Sequence, residues 1–326
     1  MKNNRPVLMK IEHLTKEFEI KSKAFGQKPQ ILHALNDVSL DIYEGETLGV
    51  IGESGCGKST FGRTLIQLHK ATAGSVTFEG KNLFSLKGQE LKQIKKDIQM
   101  VFQDPYSSLD PRKTAGKLIE EPLLVHNLVP DKKKREERVL ELMREVGLDI
   151  QHIHRFPHEF SGGQRQRINV ARALSMNPKV IVCDEPVSAL DVSIQAQVLN
   201  LFNRLQKEHN LTYIFISHDL GVIKHVSDRI AIMYLGRIVE LCQADSIYEE
   251  PLHPYTKALL SAIPPESPFQ NRERIVLKGD IPSPIGEQVG CPLAGRCPKC
   301  MERCRTQQPQ LNEVKDGHQV ACFLYE

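Results

Sequence analysis

The chain has 326 residues, 40% of them apolar and 25% charged, with a formal net charge of +3. That length suits two domains, and that composition a globular fold. The charge is too near balance to argue for a nucleic-acid partner, and no apolar run approaches the ~20 residues that span a bilayer.

The first ten residues lack the apolar core of a signal peptide, so a cytosolic protein is expected, with any membrane link made through a partner. Residues 7–14, 36–42 and 75–78 read as strands of an antiparallel β layer. Residues 47–51 form an apolar run that suits a buried strand. The loop that follows reads Gly52, Glu53, Ser54, Gly55, Cys56, Gly57, Lys58, Ser59, Thr60, and fits G-x-x-x-x-G-K-[ST]. A helical pattern continues over residues 60–68. Strand, glycine loop and helix in that order make an anion cradle. Backbone N–H groups point inward at phosphate oxygens, and the helix adds its positive end. Lys58 is placed to reach the outer phosphates, and the Ser59 hydroxyl suits Mg2+, which takes oxygen ligands. The chain is therefore expected to bind a nucleoside triphosphate.

Residues 98–102 read as the next buried strand. From Pro111 to about Ser161 no strand pattern occurs, and residues 113–126 and 131–146 read as helices of an insertion. The basic run from Lys132 to Arg135 is followed by Glu136 and Glu137, and reads as a solvated helix start. Ser161, Gly162, Gly163 and Gln164 turn into a helix running to Met176. They are either an ordinary helix cap or a second anion site, serving a molecule other than the first nucleotide. Residues 180–185 are an apolar strand closed by Asp184 and Glu185. Ligands of open α/β sheets gather at such strand ends. Asp184 is placed for the magnesium shell and Glu185 to polarise an attacking water. Residues 211–216 and 229–233 complete the apolar runs. The alternation predicts α/β architecture with a largely parallel central sheet.

Ten of the nineteen prolines fall between Pro251 and Pro309, which puts a boundary near Ile263. Residues 1–262 form the expected first domain. Residues 263–326 form a loop-rich region too small for a secure core without a staple. Five of the eight cysteines lie there: Cys291, Cys297, Cys300, Cys304 and Cys322. Gathered thiols in a reducing compartment point to metal. Bare spacing leaves zinc, an iron–sulfur cluster and free thiols all open.

The 52–60 loop, Gln103, Ser161 to Gln164, Asp184-Glu185, Ser188-Ala189-Leu190-Asp191 and His218 come in the order found in ATP-binding-cassette ATPases. The chain resembles that family from about Val7 to Ala262. The resemblance implies a P-loop NTPase with a RecA-like core, an antiparallel β layer and a helical insertion at about 111–161. It also implies head-to-tail pairing with a second cassette. ATP on the loop of one cassette would be closed over by Ser161, Gly162, Gly163 and Gln164 of the other. Gln103 would contact Mg2+ and the attacking water, Asp184 would hold the metal through a water, and His218 would contact the γ-phosphate. Asp191 would lie at the dimer seam. Phe18 looks like the aromatic that stacks on adenine, with a plain core phenylalanine as the alternative. Phe160 stands where the family usually has Leu; both are bulky and apolar, so little effect is expected.

More narrowly, residues 101–111, residues 185–193 and Ser217-His218-Asp219-Leu220 resemble the ATPases of oligopeptide/dipeptide importers. The wording Pro186-Val187-Ser188 is similar to the F-type subunit of that class. The resemblance implies ATP and Mg2+ as cofactors and a homologous ATPase as partner. It further implies two transmembrane permease subunits, an extracytoplasmic binding protein, a place at the cytoplasmic face of the cell membrane, and no nucleic acid. In the tail it implies that Cys291, Cys297, Cys304 and Cys322 hold a [4Fe–4S] cluster, with zinc as the alternative and Cys300 outside the set; because the segment has little to bury and no second redox centre is visible, a structural role is expected. Import of nickel or another small solute stays open. So do a soluble ABC-type ATPase acting on DNA or the ribosome, and a metal-dependent redox or sensor protein that happens to bind ATP.

Overall fold

The computed structural model describes residues 5–20, 29–263, 274–286 and 288–326. Residues 1–4, and Pro264, Pro265 and Pro268 of the proline-rich stretch, lie outside the described residues. In chain order the strands are β1 (Val7–Ile20), β2 (Gln30–Tyr43), β3 (Thr47–Ile51), β4 (Ala73–Phe78), β5 (Lys81–Asn82), β6 (Ile98–Val101), β7 (Val180–Asp184), β8 (Thr212–Ser217), β9 (Arg229–Tyr234), β10 (Arg237–Gln243), β11 (Asn312–Lys315) and β12 (His318–Val320). The helices are α1 (Lys58–Leu65), α2 (Gly88–Asp97), α3 (Ala115–Val125), α4 (Lys132–Glu145), α5 (Gly162–Leu174), α6 (Val192–His209), α7 (Leu220–Val226), α8 (Ala244–Glu249), α9 (Pro254–Ser261) and α10 (Glu302–Thr306). Among the described residues no helix is long and apolar enough to cross a membrane. The chain divides into two compact units, residues 1–85 with 217–326, and residues 86–216.

In the first unit, β2-β1-β4-β5 form an antiparallel sheet. β1 outruns the expected strand and reaches Ile20, because its ladder with β2 continues past the alternating residues to Phe18↔Leu32 and Ile20↔Gln30. A second set of strands runs β11-β12-β10-β9-β3. β3 and β9 are parallel and buried at every residue, as strands covered on both faces are. The β11–β12 hairpin lies in the tail expected to be loop-rich. Its β11 is exposed throughout and shows no buried face, so periodicity could not announce it. It is fixed instead through β12, which pairs with β10 at Glu240↔Val320 and Leu241↔Gln319.

A buried polar knot fastens this tail. Glu240 is wholly buried and accepts from the N–H groups of Leu252 (2.7 Å) and His253 (3.0 Å). Its carboxylate also meets His318 Nε2 at 2.7 Å. Burial works against the charge, but His318, Thr256 and the two amides outweigh it and hold the carboxyl below its usual range. His253 beside it caps α9, its Nδ1 accepting from the Tyr255 N–H at 3.2 Å. Burial pushes the His253 imidazole down from 6.5 to about 4, against the pull of Glu240. The unfolded chain therefore takes up a proton at this residue below pH 6.5, and the folded chain does not until about pH 4. Stability from this group is present above 6.5 and lost as pH falls, at up to ~1.4 kcal/mol per pH unit. His253→Asn keeps a good capping residue and removes the titration. Urea midpoints measured between about pH 7 and 5 should fall less steeply in that variant. Equal slopes would show that His253 is not the source.

In the second unit, β8-β7-β6 are parallel, and every residue of β7 and β8 is buried. α3, α4 and α5 form the helical part, and among the described residues no strand falls between 111 and 161. The basic start of α4 is not wholly solvated. Asp131 caps the helix by accepting from Lys134 N–H at 2.8 Å. Arg135, however, is buried and donates to Glu120 at 2.8 Å and to the carbonyls of Val129 and Pro130. It belongs to the helical core, where its guanidinium fork meets several acceptors at once.

Candidate nucleotide site and cysteine tail

β3 delivers the chain into the 52–60 loop and α1 carries it away. Gly57 sits at the helix N-cap with φ 105°, and a Cβ there would meet Ala34 O at 2.3 Å, so only glycine fits. No side chain caps α1. The first turn of a helix without a side-chain cap is where an anion would be held. Lys58 is buried and folds back over the loop, Nζ donating to Gly52 O at 2.6 Å and Glu53 O at 3.1 Å. Ser54 and Gly55 are exposed, and Ser59 and Thr60 open the helix half-buried. Cys56 is buried, and burial pushes its thiol up although Lys58 opposes it. The expected order of strand, glycine loop and helix is thus present.

Elsewhere in this unit, Phe18 is half-buried on β1 and not a core residue. His69 meets its edge at 5.4 Å between centroids, and Lys16 Nζ lies 4.5 Å above its ring. His218 is exposed immediately after β8, ahead of α7. Asp219 holds the next turn by accepting from Gly221 N–H (2.7 Å) and Val222 N–H (3.2 Å).

In the second unit, Asp184 ends β7 wholly buried, and Glu185 follows half-buried in a left-handed conformation, φ 46°. A non-glycine residue held there is strained, and such strain gathers at functional sites. Its backbone is pinned by Glu185 N–H to Ile216 O (2.9 Å) and by the Ser188 hydroxyl to Glu185 O (3.0 Å). Gln103 Nε2 donates to Glu185 Oε2 at 2.8 Å. Two residues singled out separately in the sequence therefore form one hydrogen-bonded pair.

Ser161 is the N-cap of α5 in a reciprocal capping box. Its Oγ accepts from Gln164 N–H (3.3 Å), and Gln164 Oε1 accepts from Ser161 N–H (3.0 Å). Gly163 packs so closely that a Cβ would meet Ile194 Cγ2 of α6 at 2.3 Å. Phe160 is buried edge-on to His152, consistent with a bulky apolar residue serving there. Asp191 is exposed at the N-cap of α6. Sequence reasoning missed how the segment after Gln103 is tied to α5. Arg165 stacks on the Tyr106 ring at 3.6 Å, Asn169 donates to Ser108 Oγ at 2.9 Å, and Arg172 donates to Ser108 O at 2.8 Å.

In the tail, Cys291, Cys297, Cys304 and Cys322 line one cavity. Cys300 does not line it and turns its thiol to Met301 O at 3.5 Å. The sulfurs accept backbone N–H groups, Cys297 from Lys299 and Cys304 from Met301, both at 3.4 Å, Cys291 from Leu293 and Cys322 from Leu324. Such donors suit thiolate ligands. Burial first, then the neighbouring thiols, push Cys291 up to about 11, so a metal would have to draw the protons off. The geometry does not match the expected centre. Among the described residues no three His, Cys, Asp or Glu side chains close on a common metal position. The cavity, about 10 Å3, has room for one water-sized body. The donor chemistry suits a four-thiolate centre, but the thiols as packed enclose neither a zinc ion nor a cluster.

Comparison with known proteins agrees with this arrangement. Residues 35–188 match the ABC transporter family, and residues 239–304 match the oligopeptide/dipeptide transporter C-terminal region. The oligopeptide transport ATP-binding protein AppF of Bacillus subtilis is 50% identical over 99% of this chain and 98% of its own. OppF of Salmonella typhimurium is 51% identical over 98% and 96%. The dipeptide transport ATP-binding protein DppF of Haemophilus influenzae is 49% identical over 99% and 98%. Among solved structures, the dimeric ATP-binding cassette MJ0796 bound to ADP and Pi superposes with a TM-score of 0.63 at 30% identity, covering 72% of this chain and 98% of that one. The chain therefore has the ABC-cassette form of the P-loop NTPase fold and belongs to the ATP-binding subunits of ABC transporters, in their oligopeptide/dipeptide class.

Proposed function

We propose that this chain is the ATP-hydrolysing subunit of a membrane importer of di- or oligopeptides. The observation that carries it is likeness of about 50% identity along the whole chain, tail included, to peptide transport ATP-binding proteins. In this reading it pairs with a homologous ATPase and docks on two transmembrane permease subunits. It then lies peripherally at the cytoplasmic face of the membrane, and peptide arrives through an extracytoplasmic binding protein. Residues 1–262 carry the nucleotide function and residues 263–326 the accessory tail.

The 52–60 loop and the N-terminus of α1 hold the phosphates, with Lys58 on the outer ones, and Phe18 stacks on the adenine. Ser59, Gln103 and, through a water, Asp184 are the side chains that would hold Mg2+. That ion neutralises charge developing on the phosphates. Glu185 accepts the proton of the attacking water, and Gln103, its hydrogen-bond partner, orients it. His218 contacts the γ-phosphate. Ser161, Gly162, Gly163 and Gln164 close over nucleotide held by the partner cassette, and Asp191 lies at the seam. The test is co-purification with the co-encoded subunits, then reconstitution in liposomes. Peptide with its binding protein should stimulate ATP hydrolysis. Stimulation by nickel or another solute and not by peptide would correct the solute, and failure to assemble with permease subunits would overturn the transporter role.

We further propose that Cys291, Cys297, Cys304 and Cys322 are the ligands of a [4Fe–4S] cluster that staples the tail. Support comes from their shared cavity, the backbone N–H groups at their sulfurs, and the C-terminal-region match. The side chains would have to swing outward to admit it. Anaerobically purified protein should contain four irons and four acid-labile sulfides per chain. Zinc, or no metal, would overturn the assignment.

A further inference from the structure

Two groups from outside the phosphate loop hold its second residue. Glu53 N–H donates to Tyr255 Oη at 2.9 Å, and Glu53 Oε2 accepts from Arg296 Nη1 at 3.2 Å. The same Nη1 donates to Tyr234 Oη at 3.3 Å, and the rings of Tyr234 and Tyr255 pack 4.6 Å apart. The Arg296 side chain is 10% exposed and that of Glu53 29%, so the pair is partly shielded from water. Burial works against its charge, and the bonds to Tyr234 and Glu53 outweigh it. On the other side, the Glu53 carbonyl accepts from Lys58 Nζ at 3.1 Å and from Cys56 N–H at 3.3 Å. Guanidinium, carboxylate, peptide and Lys58 ammonium thus form one line. Arg296 itself stands in the turn between Cys291 and Cys297. Its N–H donates to Leu293 O at 2.9 Å, and the next residue's N–H to the same carbonyl at 2.8 Å.

We propose that Arg296 is a positioning residue for ATP hydrolysis, through which the cysteine turn of the tail holds the phosphate loop in its nucleotide-accepting shape. It rests on residues 52–60 being the nucleotide loop. A loop with exposed glycine and no side-chain cap has many conformations, and a nucleotide that must order it binds less tightly. Anchoring Glu53 by both backbone and side chain fixes the carbonyl that Lys58 leans on. Glu185 and Gln103 are not part of this line, so its loss weakens binding and spares the chemical step.

The test uses the full-length chain, with nucleotide Kd and the KM and kcat of ATP hydrolysis. Arg296→Ala should raise Kd and KM about three- to tenfold with kcat within about twofold, a loss between that of an exposed ion pair and that of a fully buried charged hydrogen bond. Arg296→Lys should recover part of that loss, and Glu53→Gln should reproduce it. The double variant should be no worse than either single one, because both remove the same contact. Where Arg296→Ala unfolds the tail, Glu53→Gln decides, since it leaves the Arg296–Tyr234 contact in place. Unchanged KM in Glu53→Gln, or effects that multiply in the double variant, would overturn the proposal. Lys58→Ala is the separate control. If it leaves nucleotide affinity unaltered, the loop assignment itself fails; if it abolishes binding while Arg296→Ala and Glu53→Gln do nothing, only the positioning role fails.

Discussion

Glu185→Gln is expected to lower ATP turnover by about 10²-fold or more, the usual worth of a positioned general base, while ATP binding persists. The substitution changes one oxygen for an amide nitrogen and keeps the shape. Glu185 is held by its backbone, through Ile216 O and the Ser188 hydroxyl, so its φ of 46° does not depend on the carboxylate. The Gln103 amide still has an oxygen to donate to. What disappears is an acceptor basic enough to take a proton from water. Single-turnover kinetics beside a nucleotide-binding isotherm separate the two effects. Turnover within a few-fold of the parent would show that another group is the base.

Lys58→Ala should act on the other half of the reaction. On the proposed contact with the phosphates, removing the ammonium would delete a charge-assisted hydrogen bond worth ~1.5–3 kcal/mol, or about 10- to 100-fold in nucleotide affinity. The side chain is buried and bridges two carbonyls of its own loop, so the variant also loosens the apo loop. Thermal denaturation with and without nucleotide distinguishes these effects. A lost affinity shows as a missing nucleotide-induced rise in Tm, and a loosened loop as a lower Tm in both. A full nucleotide-induced rise would remove Lys58 from the phosphate site.

The parts of the site legible in the sequence are the local ones. A glycine loop between a buried strand and a helix states its own conformation, and two carboxylates at the end of an apolar strand state their own position. The capping box at Ser161 and Gln164 is written in four consecutive residues. What the sequence hid are contacts of long separation. Gln103 and Glu185 are 82 residues apart, Glu240 and His318 are 78, and Glu53 and Arg296 are 243. No periodicity links such pairs; only the folded chain brings them together. The β11–β12 hairpin was illegible for a different reason, since an edge strand with no buried face has no pattern to show. The tail cysteines were half legible. Their gathering was visible, but turning Cys300 aside depends on the conformation of residues 297–301.

In the proposed pairing of two cassettes, the capping box at Ser161 would bear on the order of events in closure. A hydroxyl offers one proton and two lone pairs. The bond from Gln164 N–H occupies a lone pair of Ser161 Oγ, and the proton is not spent on it. The residue therefore need not abandon its helix to donate to an oxygen arriving from another molecule. In that pairing the turn that receives the nucleotide is already hydrogen-bonded within the single chain. A serine replaced by alanine would forfeit both the helix terminus and the donor, whereas aspartate would keep the terminus and present a repelling charge. Serine is thus the side chain that lets one short turn be a structural end and a waiting hand at once.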